Sequence, residues 1–118
     1  MKWIIISIAS FLMMPLIGQE SVNGIWDLGK ENTHVEIYQN GDIWEGKVIS
    51  SDNEKMKAGI LMLRNLVYED GVWKGEFYIP KMKSWGKATL VRDGNNIRMT
   101  VKKSLMKKKI ILTPVKNN

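Results

Sequence analysis

Three dipeptides, Asn40-Gly41, Asp70-Gly71 and Asp93-Gly94, set the strongest constraint on how this chain can fold. Asn, Asp and Gly tolerate the positive φ angles that a two-residue hairpin turn requires, so these pairs mark tight turns between antiparallel strands. Each dipeptide is flanked on both sides by segments with β-branched and aromatic residues, which favour strands. The sequence therefore predicts a β-structure built from hairpins.

The flanking segments alternate between apolar and polar residues with the two-residue period of a strand. In residues 34–39, for example, Val35 and Ile37 share one face, whereas Glu36 and Tyr38 share the other. Seven segments qualify as strands, and a proline suits the edge or the end of the last one. They are residues 24–29, 34–39, 42–49, 72–79, 85–92, 96–102 and 108–115.

The segment "MKAGILMLRNLVYEDG" at 56–71 allows two interpretations. Met56 and Ile60 lie four residues apart, as on one face of a short helix, but residues 59–68 are also a candidate for an eighth strand. We favour the strand, entered through the polar loop 51–57. Seven or eight short antiparallel strands predict an all-β fold, a small meander β-barrel, because closure of the sheet removes exposed strand edges.

An apolar, uncharged run at residues 3–17 follows Lys2. It is shorter than the roughly 20 residues that a transmembrane helix needs, so it is typical of a secretory signal peptide, with an uncleaved anchor as the alternative. We expect a signal peptide at 1–18, cleaved near Gly18, and one exported domain, periplasmic or secreted, at 19–118. This domain keeps a net charge of +5 out of +6, because Lys2 is the only charged residue that is removed.

The composition excludes several kinds of active site. The chain has no cysteine, which excludes disulfides, thiolate metal sites and a cysteine nucleophile, and its single histidine, His34, excludes a multi-histidine metal site within one chain. Three carboxylates, Glu36, Glu45 and Glu76, fall on predicted strands. They would form an acid/base pair only if their faces turned inward, and surface charge pairing is the simpler interpretation. We therefore expect no enzyme, no catalytic residue, no metal and no cofactor.

Five segments of the chain follow one another in a characteristic order. They are Gly24-x-Trp26, "VEIYQNGDIWEGKVI" at 35–49, "GILML" at 59–63, "DGVWKGEFYIP" at 70–80 and "SLMKKKIILTPV" at 104–115. This order resembles that of the bacterial family known as domain of unknown function 2147, over residues 23–115. The resemblance implies an exported β-rich domain with a lipocalin-like or streptavidin-like barrel. Because no activity is established for that family, the resemblance supplies no catalytic residues.

The chain departs from the family pattern at three places. The segment "VKKSLMKKK" stands where the family has a glycine-rich stretch before the last strand. Leu112 is the best match to the usual tryptophan of the last strand, and the loop at 51–57 is shorter than its counterpart.

Aromatic residues are the best lead to a function. Trp26 and Trp73 are predicted to plug the barrel, since Gly24 and Gly75 lie two residues away on the same strand faces and leave room for large rings. Four further aromatic residues are candidates for a platform that stacks a sugar or another flat ligand. They are Tyr38, Trp44, Tyr78 and Trp85, and scattered surface rings are the alternative interpretation.

A cluster of lysines surrounds the turn before the last strand. Such a cluster attracts anionic surfaces, although it also suits a solvated hairpin end that resists pairing with another chain. Nucleic acid is not an expected partner, because the domain is predicted to be exported and the chain has only three arginines. The clustered residues are Lys102, Lys103, Lys107, Lys108 and Lys109, with Lys116 beyond them.

Two functions are consistent with these patterns. The first is a non-enzymatic module that binds one small apolar or amphipathic ligand at the mouth of the barrel. This function predicts a cavity, open at one end, that is lined by Val35, Ile37, Ile97 and Met99. The alternative is an interaction or structural protein of the cell envelope that uses the lysine-rich hairpin or an aromatic surface patch.

Overall fold

The computed structural model describes residues 21–115, so the predicted signal peptide at 1–18 lies outside the described residues. Eight antiparallel strands form a closed barrel in which each strand pairs with its neighbour in sequence and β8 pairs with β1. The prediction of an all-β antiparallel meander barrel is confirmed. Of the seven or eight strands predicted, all eight form. The strands are β1 (Gly24–Asp27), β2 (His34–Asn40), β3 (Ile43–Ser50), β4 (Leu61–Glu69), β5 (Val72–Ile79), β6 (Ser84–Asp93), β7 (Asn96–Lys103) and β8 (Met106–Pro114).

Residues 21–115 contain no helix, and thus none with the length and apolar character needed to cross a membrane. The ambiguous segment 56–71 supplies β4, which confirms the strand interpretation over the short helix.

The three predicted hairpins form at their dipeptides. Asp70 and Gly71 both have positive φ, 52° and 87°, as a type I′ turn requires. In the other two hairpins Gly41 and Gly94 have positive φ, 69° and 64°, in the first position of the two-residue turn, which is where a type II′ turn places glycine. The turn between β7 and β8 has the same pattern, but Ser104, at φ 55°, occupies the glycine position.

A bulge in β4 explains one of the glycines. The pairing register shifts between Arg64 and Val67, and Asn65 takes a positive φ of 55°. A Cβ atom on Gly75 of β5 would lie 2.7 Å from the carbonyl oxygen of Arg64 and 3.1 Å from that of Asn65. The interpretation that Gly75 makes room for the ring of Trp73 is therefore wrong, because Gly75 makes room for the bulged backbone of the neighbouring strand.

The barrel interior is a contiguous apolar core. One face of each strand supplies it by alternation, and Thr33 is the buried polar residue within the described part of the chain. Trp26 and Trp73 are both buried, with 4% and 3% of their surfaces exposed. The apolar members are Val22, Trp26, Val35, Ile37, Val48, Met56, Met62, Leu63, Leu66, Trp73, Phe77, Ala88, Leu90, Ile97, Met99, Val101 and Leu112.

The two ends of the barrel differ. The sealed end carries the turns at 41–42, 70–71 and 94–95, together with the N-terminal residues 21–23. Aromatic rings fill it: the ring centroids of Trp44 and Trp73 are 5.5 Å apart, and those of Tyr68 and Trp73 are 5.2 Å apart. Both pairs meet edge to face, the arrangement that aromatic rings favour.

The open end carries the longer connections, at 28–33 and 51–60, and the turns at 80–83 and 104–105. The seam between β1 and β8 is short: two residue pairs, Trp26 with Pro114 and Asp27 with Thr113, extended by a hydrogen bond from the Val115 amide to the Ile25 carbonyl. Beyond this seam the loop 28–33, rather than a strand, runs beside β8, and this leaves space inside the barrel.

Candidate functional site: a cavity at the open end

A cavity of about 740 Å³ occupies the open end of the barrel. Three residues of the apolar core, Met62, Phe77 and Val101, line the inner part of the cavity. Ile79, Met106 and Ile110 line it nearer the mouth and are half-buried. Ligand cavities in proteins commonly measure about 300–1,000 Å³ and are mostly apolar with a few polar groups, so this cavity has the size and lining of a small-molecule site.

Strand alternation sets the apolar wall of the cavity. In β5 the residues Trp73, Phe77 and Ile79 share the inward face, with Trp73 at the sealed end and Ile79 at the mouth. In β8 the residue Ile110 faces inward because it lies directly opposite Met99 of β7, which is completely buried. The inner faces of β4, β5, β7 and β8 thus change from core to cavity wall along their lengths.

One side of the mouth is held by hydrogen bonds between its two loops. The amide of Asp52 donates to the carbonyl of Glu31 over 2.9 Å, and the Asn53 side chain donates to the Glu31 carboxylate over 3.1 Å. The hydroxyls of Thr33 and Ser51 are 2.7 Å apart. These contacts fix the loop 51–60 over the barrel, where Met56 becomes a core residue with 7% of its surface exposed.

The rim of the cavity is cationic. Five lysines line it, whereas Glu31 is its single acidic side chain. None of the five takes part in an ion pair of the described residues, since those pairs join other side chains. The five are Lys30, Lys55, Lys81, Lys108 and Lys109.

The cavity is lined by other residues than the sequence predicts. Val35, Ile37, Ile97 and Met99 were expected to line it, but each has at most 1% of its surface exposed, and none borders the cavity. Other core side chains pack around all four, so this expectation is wrong in its residues, although the cavity opens at one end as expected.

The four candidate platform residues lie in three separate places, and none lines the cavity. Trp44 points into the sealed end against Trp73. Tyr38 lies on the outer face of β2, whereas Tyr78 and Trp85 pair on the outer face of β5 and β6 with their centroids 5.4 Å apart. A single platform of all four does not form, because strand alternation and the barrel curvature point the rings in different directions. A ligand role for any of them stays a prediction.

Charged groups already contact the outer rings. The guanidinium carbon of Arg64 lies 4.0 Å from the centroid of Trp85, and the Arg64 Nε atom is 2.8 Å from the carboxylate of Glu76. The hydrogen bond from Arg64 lowers the pKa of Glu76, mainly by stabilising the carboxylate. Arg64 thus covers one face of Trp85 and ties it to β5.

Tyr38 forms a second outer contact. Its hydroxyl donates a hydrogen bond of 3.0 Å to Glu45, and the ammonium of Lys47 lies 5.3 Å from its ring centroid. Burial of the hydroxyl, followed by the hydrogen bond to Glu45, raises the pKa of Tyr38 to about 12. The phenol therefore acts as a neutral donor near neutral pH.

The other titratable candidates also lie on the outer face. Glu36, Glu45 and Glu76 lie opposite Lys47, Tyr38 and Lys87 respectively across the strand pairs, so none of these carboxylates faces the interior. His34 places its Nε2 atom 3.3 Å from the carboxylate of Asp27. Within residues 21–115, no group of three His, Asp or Glu side chains is arranged to hold a metal ion.

The lysine cluster is divided between two faces of one hairpin. Lys102 and Lys107 lie opposite each other on the outer face, whereas Lys108 lies opposite the buried Val101 and therefore turns toward the interior. Alternation places Lys103 on the same face as Val101 and Lys109 on the opposite face, although Lys109 also borders the cavity. Leu105, at the tip of this hairpin, is completely exposed. Lys116 lies outside the described residues.

Sequence reasoning missed the residues that do line the cavity, notably Phe77, Met106 and Lys108. The alternation that assigns Phe77 to the face of Trp73 is visible in the sequence. The position of each residue along the barrel axis could have been estimated from the connections. Tight turns collect at one end and longer loops at the other, so inward residues next to the longer loops are the candidates for the mouth.

No family model matches the chain, so the resemblance to domain of unknown function 2147 stays a prediction. No curated protein matches it either. Among solved structures, the fold is similar to that of a protein from the human pathogen Helicobacter pylori that is described as belonging to the lipocalin family. The TM-score is 0.67 at 15% sequence identity, and the match covers 84% of this chain and 86% of the other. This likeness shows that the chain has a lipocalin-like barrel fold.

Proposed function

We propose that this protein is a non-enzymatic carrier or binder of one small apolar or amphipathic ligand. The single observation that carries the proposal is the cavity of about 740 Å³ at the open end, with Met62, Phe77 and Val101 at its apolar base. An eight-stranded barrel is just wide enough either to fill its interior with side chains or to hold one small ligand. The incomplete filling at one end of this barrel supports the second case.

The likeness to a lipocalin-family structure supports the same proposal at the level of the fold. Fold alone does not define a function, so the argument rests on the cavity. The hydrogen-bonded loops at its mouth support a preformed site, which binds with less loss of conformational entropy than a site that must be ordered.

The proposal can be tested with 1-aminoanthracene, a neutral fluorescent probe of apolar cavities. We expect saturable binding by the protein, and an Ile110→Trp substitution should weaken it at least about tenfold, because the indole would fill the mouth of the cavity. Val67→Trp is the matched control. Val67 lies opposite Lys74 on the outer face of β4, is 48% exposed and does not line the cavity, so this variant should bind the probe as the parent does.

Native mass spectrometry of the purified protein gives an independent test, because it reports a co-purified small molecule and the oligomeric state together. Absence of saturable probe binding, or equal binding by the two tryptophan variants, would show that the cavity is not a ligand site.

Contact with an anionic envelope surface is the second candidate function. The specific observation that favours it is Leu105, whose side chain is completely exposed at the hairpin tip between Lys103 and Lys107. An apolar tip among lysines suits an interfacial contact, in which the apolar group enters the headgroup region and the lysines face anionic lipids.

Cosedimentation with vesicles of phosphatidylglycerol and phosphatidylcholine tests this second function. Binding should fall with rising salt and with Leu105→Asn, and it should be lost when Lys107, Lys108 and Lys109 are all replaced by glutamine. Binding that is independent of both salt and these substitutions would contradict the idea.

We also propose that the protein is exported and that its signal peptide is cleaved near Gly18. The apolar run after Lys2 supports this location. N-terminal sequencing of the protein from fractionated cells tests it, and recovery of the intact N-terminus in the cytoplasm would overturn it.

A further inference from the structure

We infer that the ligand is an anionic amphiphile, a single apolar chain with an acidic head, and that Lys108 and the lysines beside it at the mouth hold the head. This inference rests on the proposed function, because it names the class of ligand that the same cavity takes.

The first support is the division of the cavity into an apolar base and a cationic rim. Its deeper lining, with Met62 and Phe77, offers no charge to a ligand, whereas five lysines and a single glutamate line the cavity overall. A ligand that lies in this cavity therefore meets apolar side chains at one end and positive charge at the other. The partner of complementary chemistry has its negative charge at the end that faces solvent.

The second support is the orientation of Lys108. It occupies the strand position directly opposite Val101, and Val101 is a core residue with 2% of its surface exposed. Alternation along β8 places Met106, Lys108 and Ile110 on the same inward face. A solvent-exposed lysine thus stands between two half-buried apolar residues, and all three border the cavity.

The third support is that the protein does not neutralise the rim itself. Within residues 21–115 no ion pair involves a lysine of the rim. Glu31, the acidic residue of the lining, accepts a hydrogen bond from Asn53 instead. The summed positive potential at the mouth is therefore available to a ligand, and it would also speed the approach of an anion.

The test compares probes with apolar chains of about the same length and different heads, at concentrations below those at which they form micelles. Decanoate, decanol and decyltrimethylammonium are titrated against the protein with bound 1-aminoanthracene. We expect decanoate to displace the dye at about a tenfold lower concentration than decanol, and the cation to be the weakest. Acetate and inorganic phosphate, which carry the charge without the chain, should not displace it.

A pair of neighbouring lysines supplies the matched variants. Lys108→Gln should weaken the binding of decanoate about three- to tenfold, because it removes one positive charge near the carboxylate head. The binding of decanol should not change. Lys107→Gln removes one positive charge from the outer face of the same strand, opposite Lys102. It should leave the binding of both decanoate and decanol unchanged. Thermal unfolding of both variants checks that they remain folded.

The outcomes separate the two proposals. If the dye binds but decanoate and decanol displace it equally, or if Lys107→Gln and Lys108→Gln have the same effect, the anionic head is wrong and the apolar binder stands. If acetate or phosphate displaces the dye, the rim is a simple anion site. If no probe binds saturably, both the function and the ligand class are overturned.

Discussion

The guanidinium carbon of Arg92 lies 5.6 Å from the ring centroid of Trp26, close enough for a cation–π contact. The same guanidinium donates to the carbonyl of Ser21 over 2.5 Å and to that of Gly94 over 2.9 Å. The indole N–H of Trp26 in turn donates to the carbonyl of Val22 over 2.9 Å. Two side chains thus join β1, the N-terminal residues and the β6–β7 turn at the sealed end.

Trp26→Ala is therefore expected to destabilise the fold strongly. Loss of a buried tryptophan typically costs about 3–5 kcal/mol, a large share of the stability of a small domain. Urea unfolding followed by circular dichroism measures the change. Trp85→Ala is the control, since Trp85 is half-buried on the outer face and its loss should cost clearly less. A Trp26→Ala variant that stays as stable as the control but no longer binds 1-aminoanthracene would point to ligand stacking instead.

Local chemistry explains why the strand order was predictable from the sequence. The dipeptides at 40–41, 70–71 and 93–94 fix the positions of hairpins, and alternation fixes which side chains share a face, as for Val35 and Ile37. Both signals depend on residues that are neighbours in the chain. The all-β barrel follows from them because a meander of this many strands can bury one face by closing on itself.

The cavity was not predictable to the same degree, because it depends on where each residue lies along the barrel axis. Alternation assigns Ile97 and Phe77 alike to the interior, but only the three-dimensional stagger of the strands decides that Phe77 borders the cavity. The bulge opposite Gly75 had no local signal beyond the glycine itself. Trp44 was not placed for a related reason: it shares a strand face with Gly46 and Val48, but no local signal tells which side of the sheet that face occupies.

Gly75→Ala is predicted to destabilise the protein by about 1–3 kcal/mol, the usual range for overpacking. Its new Cβ would lie 2.7 Å from the Arg64 carbonyl oxygen, which belongs to the backbone of a bulged strand and has little freedom to move. Gly46→Ala is the matched comparison. Its Cβ would meet the Val35 Cγ1 and Leu63 Cδ1 methyl groups at 3.0 and 3.1 Å, which can shift by side-chain rotation, and the Leu63 Cβ at 3.2 Å, so this variant should lose less stability. Chemical denaturation of both variants tests the order, and the reverse order would contradict it.

Ser104→Gly is predicted to stabilise the protein by about 0.5–1 kcal/mol. Ser104 has φ 55° in the turn position that glycine occupies in the β2–β3 and β6–β7 hairpins, and a side chain there is strained. The gain is smaller than the full strain because glycine loses more backbone entropy on folding. The control is Ser50→Gly, which introduces glycine at the exposed end of β3 and should destabilise slightly. Melting temperatures should move in opposite directions, and a lower value for Ser104→Gly would refute the turn assignment.

Tyr38 predicts how stability changes at alkaline pH. Its pKa rises from 10.0 to about 12 in the folded protein, first because of burial and second because of the hydrogen bond to Glu45. A raised folded pKa means that the contribution is fully present below pH 10.0 and is lost as the pH rises toward about 12. Tyr38→Phe should therefore lose less stability than the parent between those pH values, as measured by urea unfolding at each pH.

Glu45→Gln separates the two causes of that pKa shift. Removing the carboxylate should lower the pKa of Tyr38 but leave it above 10.0, because burial is the larger cause and persists in the variant. Phenolate absorbance during an alkaline titration reports this directly, with Tyr38→Phe identifying the step that belongs to Tyr38. If Glu45→Gln left that step unmoved, the hydrogen bond would have no part in the shift. If the step fell to the value of a free tyrosine, Glu45 rather than burial would be the main cause.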